Sequence, residues 1–72
     1  MYIKLTETIR VNLPAPHENC YVLVVPDPTE GPAYRDFYLV TSDTPADYMF
    51  GCNVTDNDQA VDLALSNFRD YL

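Results

Sequence analysis

The chain has 72 residues, enough for one domain spanning 1–72, and a domain near this size buries only about 60 % of the surface its unfolded chain exposes, which leaves little room for an enclosed active site. Its apolar fraction of 47 % is too high for a disordered acidic tail. Eleven carboxylates against four lysines and arginines give a formal net charge of -7, which excludes direct binding of nucleic acid and disfavours an anionic membrane, since both need clustered cations.

From Ile3 to Leu13 the odd positions Ile3, Leu5, Ile9, Val11 and Leu13 are apolar and the even ones polar. That period of two predicts a strand with one buried face. Glu7 interrupts the apolar face and reads as a bulge, as an edge position where an inward charge deters aggregation, or as a carboxylate in a site. Pro14, Pro16, His17, Glu18 and Asn19 form a connecting loop. Cys20 to Val25 is an uninterrupted apolar run ending at Pro26, which predicts a central strand covered on both faces. Asp27 to Pro32 carries turn residues, so the next strand, from Tyr34 to Thr41, should close a hairpin with a long acidic tip. After a break at Ser42 to Pro45, Tyr48, Phe50, Cys52 and Val54 alternate with Met49, Gly51 and Asn53, giving a short fourth strand or an extended stretch weakened by Gly51.

Thr55-Asp56-Asn57-Asp58 opens a helix: Thr55 can cap backbone donors, and acids suit the positive helix end. Val61, Ala64, Leu65, Phe68 and Leu72 form its apolar stripe, while Asp58, Asp62, Ser66 and Asp70 form a row away from it. The expected fold is α+β, a small antiparallel sheet of three to four strands packed against one C-terminal helix.

Few residues form a constellation that chemistry could use. His17 and Cys20 have His-x-x-Cys spacing and Cys52 could join them, but these fall short of the four ligands of a structural zinc site, and a surface-loop histidine beside a core cysteine explains the same letters. No third group marks the pair as a nucleophile and base. Gly31 and Gly51 are the only glycines, and neither sits in a phosphate-cradling loop. The expectation is therefore no catalytic residues, no metal and no cofactor. Asn53-Val54-Thr55 matches a glycosylation acceptor, a motif that arises often by chance and is without meaning in the cytosol. No basic segment leading into an apolar one follows Met1, and no apolar run approaches the roughly 20 residues of a membrane helix, so a soluble cytoplasmic protein is expected.

The acids themselves remain. Nine of the eleven lie between Glu18 and Asp62, opposed there only by Arg35. Asp27 and Glu30 fall on the hairpin tip, Asp43 and Asp47 in the connection before the fourth strand, and Asp56, Asp58 and Asp62 at the helix start. If these loops converge, they present spaced negative charge much as a nucleic-acid backbone does. An acidic surface also simply keeps a small domain soluble. Tyr34 and Tyr48, near element ends, can anchor an interface, and rings beside carboxylates suit an arginine-bearing partner.

In short length, few strands, a capped C-terminal helix beginning Thr55-Asp56-Asn57-Asp58 and few basic residues, the chain resembles the small acidic inhibitors encoded by phages and mobile elements, anti-CRISPR proteins in particular. The resemblance lies in plan and charge rather than in a motif. It implies an inhibitor acting in the host cytoplasm that blocks a basic nucleic-acid-binding surface on a larger protein assembly, with Asp27, Glu30, Asp43, Asp47, Asp56, Asp58, Asp62, Tyr34 and Tyr48 as the partner-binding residues. The alternative is an adaptor or structural subunit that homodimerises through a strand edge or a tyrosine patch.

Overall fold

The computed structural model describes residues 7–42 and 45–72. Four strands, β1 (Ile9–Asn12), β2 (Tyr21–Pro26), β3 (Tyr34–Val40) and β4 (Asp47–Asn53), precede helix α1 (Asn57–Asn67) and a closing 3-10 turn, Phe68–Tyr71. The strands form one antiparallel sheet in sequence order, so each pairs with its neighbour in the chain. This is the expected α+β plan, with the fourth segment a full strand. Of the long first strand the sequence suggests, Ile9–Asn12 is strand, residues 3–6 lie outside the described residues, and Glu7 is exposed ahead of the edge strand.

Alternation along the strands separates two faces. Val11, Val22, Val24, Phe37 and Leu39 point to the helix side and are buried, with Val22 opposite Leu39 and Val24 opposite Phe37. Phe37 stacks on Phe50 across the β3–β4 pair, ring centroids 4.6 Å apart. The opposite face carries Arg10, Asn12, Tyr21, Leu23, Val25, Asp36, Tyr38 and Val40, half-buried or exposed. β2 is central as its apolar run suggests, but it is covered on one face only. With a single helix to lay on the sheet, Leu23 and Val25 are shielded by neighbouring side chains rather than by a second layer.

Register slips once. Phe37 pairs with Phe50 but Tyr38 pairs with Tyr48, which leaves Met49 as the extra residue of a bulge. The bulge falls there rather than at Gly51, because Met49 is apolar and finds a buried place in the core. Tyr48 is thereby set beside Tyr38 on the open face, ring centroids 5.6 Å apart.

The helix begins one residue later than the sequence suggests. Asp56 is the N-cap, its carboxylate accepting from the Gln59 N–H at 2.8 Å, while Gln59 Oε1 reaches back to accept from the Thr55 N–H and hydroxyl, each at 3.1 Å. These bonds satisfy donors that the first turn leaves without helical partners. The apolar stripe is rotated as well: Ala60, Ala64 and Phe68 are buried, whereas Leu65 and Leu72 are 40 % and 50 % exposed. Two alanines at i and i+4 let the helix backbone lie close to the sheet, and Val61 and Leu63 pack at its flanks. No helix among the described residues is long and apolar enough to cross a membrane.

Candidate recognition surface

The topology sorts the acidic residues into separate groups. At the end of β2 the chain turns back through Asp27 to Gly31, where Glu30 N–H donates to Asp27 O (3.1 Å) and Gly31 takes φ +152°, a conformation that side-chain-bearing residues rarely adopt. Asp27 N–H donates to Tyr34 O and Val54 N–H to Ala33 O, so the hairpin tip, the start of β3 and the approach to α1 share one end of the sheet. Arg35, 4 % exposed on the helix side of β3, donates from Nη1 to Asn57 Oδ1 at 2.8 Å and ties the first helical residue to that end. Asp27, Glu30, Asp56 and Asp58 are thereby gathered at one pole. Asp62 follows one turn down the exposed side of α1, about 6 Å along the axis from Asp58. Asp47 stands at the opposite pole, at the start of β4, and Asp43 lies outside the described residues.

Asp36 joins the first group, although nothing in the sequence sets it apart from a solvated strand acid. It lies on the open face beside Asp27, and the two carboxyls share a hydrogen bond. The Thr29 hydroxyl, donating to Asp27 Oδ1 at 2.6 Å, holds Asp27 below its usual value of 3.8, with the bond from Asp36 adding to the effect. Asp36 is pushed above 3.8, first by burial among its neighbours and then by Asp27. The two carboxyls therefore titrate as one coupled pair, with Asp27 losing its proton the more readily. The signal available in the sequence was strand parity: Asp27 and Asp36 fall on the same face once Asp27 is set opposite Tyr34.

Tyr34 and Tyr48 flank this pair. Gly51 makes the close approach there: a Cβ in its place would stand 2.5 Å from Tyr34 Oη and 2.7 Å from Asp36 Oδ1, so the ring and the carboxylate both lie over the glycine. Tyr48 is 56 % exposed. Partial burial raises the phenol pKa values of both, and the Asp36 charge acts in the same direction. No family model, curated protein or solved structure matches this chain.

On the same face, nearer β1, the Arg10 guanidinium lies 3.8 Å above the centroid of Tyr21 and donates from Nε to Asn12 Oδ1 at 3.0 Å. The face thus carries a cation on a ring at one side and carboxylates among rings at the other. The residues that would have to meet in a metal or thiol site do not all converge: His17 and Cys20 share a turn, the Cys20 N–H donating to His17 O at 2.9 Å, but Cys52 lies apart from both. His17 packs edge-on against Phe68 at 5.6 Å, and Cys20 precedes β2 while Cys52 pairs with Arg35 near the other end of the sheet. That separation along six residues of strand is roughly 20 Å. Both cysteines are free thiols.

Proposed function

We propose that the chain is a small acidic protein-binding inhibitor, anti-CRISPR-like and of phage or mobile-element origin, that occludes a basic nucleic-acid-binding surface on a larger assembly. The observation that carries the reading is the gathering of Asp27, Glu30, Asp56 and Asp58 at one pole of the sheet, with Asp36 beside them and Asp62 continuing the charge down the helix. Such a pole competes with phosphates for the same lysines and arginines, and it guides a basic partner to a fixed end of the molecule. No catalytic group enters this mechanism; its means are charge and bulk.

Competition decides it. A host protein captured on this chain should lose its nucleic acid when the inhibitor is added to saturation, and equal nucleic-acid binding with and without it would sink the reading. Affinity should also fall steeply from low to high salt, because exposed charges are screened beyond roughly 8 Å at physiological ionic strength.

A second reading, self-association, draws on the uncovered face of the sheet and on the exposure of Tyr48. It predicts a dimer that persists in high salt, measurable by sedimentation.

A further inference from the structure

We infer that the open face of the sheet is the contact face, and that Asp36, Tyr34 and Tyr48 form a seat for an arginine side chain of a protein partner. The inference rests on the inhibitor reading and names where its partner is gripped. Its first support is a guanidinium already seated on this face: Arg10 lies 3.8 Å over Tyr21 and is held by Asn12 Oδ1. Across the sheet, the Tyr38–Tyr48 ring pair and Tyr34, which lies over Gly51 beside Asp36, present the same elements, a ring and an oxygen acceptor, with carboxylates in place of the amide. Among the described residues Arg10 is the only cation of this face, and it is already engaged at Tyr21.

Charge complementarity identifies the occupant. A second copy would bring its own Asp27 and Asp36 and a further net charge of -7, whereas an arginine brings a planar donor fork matched to a carboxylate and able to stack on a phenol ring. It would also turn the Asp27–Asp36 repulsion into attraction on both sides. Lysine offers a point charge without the planar stacking surface, so the seat discriminates between the two cations.

Nona-arginine and nona-lysine peptides of equal charge test this on the full chain, with binding followed by amide chemical shifts in physiological salt. The arginine peptide should bind about 10-fold more tightly than the lysine peptide, with shifts centred on Tyr34, Asp36, Tyr48 and Gly51. Asp36→Asn, or Tyr48→Ala at an exposed position, should bring the two peptides to equal affinity while circular dichroism shows the fold intact. Asp58→Asn with Asp62→Asn should weaken both peptides alike and leave their ratio unchanged. Equal affinities in the wild type with shifts along Asp56 to Asp62 would overturn the seat and leave electrostatic occlusion standing. Absence of binding by either peptide in low salt would overturn both. Concentration-dependent shifts of the same resonances without peptide would assign the face to a second copy and also overturn the seat.

Discussion

Asp56 serves the fold and the proposed interface together, and two substitutions separate those roles. Its carboxylate accepts from the Gln59 N–H at 2.8 Å and stands at the positive end of an 11-residue helix. Asp56→Ala removes both the hydrogen bond and the charge. The site is exposed, so water can take up the released donor, and the loss should fall near the middle of the range for caps, about 1 kcal/mol, with about 0.3–1 kcal/mol more from the charge. Asp56→Asn keeps an oxygen acceptor and should lose only the charge contribution. For a domain of this size each kcal/mol is about 4–8 °C in Tm. Urea unfolding followed at 222 nm should therefore rank wild type above Asp56→Asn above Asp56→Ala. If the asparagine variant lost as much as the alanine variant, the hydrogen bond would contribute nothing and the charge everything. If neither lost stability, the helix start would not be held by this cap.

Phe37→Ala should be the most damaging single change in the core, costing about 3–5 kcal/mol out of a total of about 4–11 kcal/mol expected at this length, and thermal melts should show little or no cooperative folding. Asp36→Asn should raise stability at pH 7. The folded pKa of Asp36 lies above 3.8, so the stability tied to its proton is full below that value and is lost as pH rises through the folded pKa. The advantage of the asparagine variant should close as a pH series of melts descends toward 4, and an advantage constant with pH would refute the carboxyl pairing. Asp27 has the opposite sign, and its contribution disappears only as pH falls through its depressed value. Gly51→Ala should displace both Tyr34 and the Asp36 carboxylate and destabilise the wild type, and a Tyr34→Ala background should relieve part of that cost, the remainder belonging to Asp36; an unchanged cost there would mean the ring does not lie over the glycine. Burial raises the Cys52 thiol pKa, so iodoacetamide should modify it more slowly in the native protein than in urea.

The sheet was legible because its signals are local. The Cys20–Val25 run, the turn residues at Asp27–Pro32 and the alternation from Tyr48 to Val54 each mark one strand without reference to the others. What sits on each face was harder to read. The β2 run looks the same whether one layer or two covers it, so the open face was hidden in the letters. The helix stripe was misplaced toward Leu65 and Leu72 because the larger side chains draw attention, whereas close contact with a sheet favours the smaller Ala60 and Ala64. Asp36 went unmarked for a related reason: its partner, Asp27, is nine positions away in sequence and becomes a neighbour only once the hairpin register is set. The candidate acids were visible as a charged span, but their division between two poles follows from the path of the chain from β4 into α1.

The Met49 bulge separates what the core of β4 contains from what its open face displays. Removing that one residue would leave Phe50 opposite Phe37, Tyr48 opposite Tyr38 and Asp47 opposite Leu39, so every cross-strand pair would keep its register. The loss would fall on the core instead, where the buried Met49 side chain would leave a cavity beneath an unchanged open face. A bulge so placed adds an apolar side chain to one side of the sheet without changing which residues face outward on the other.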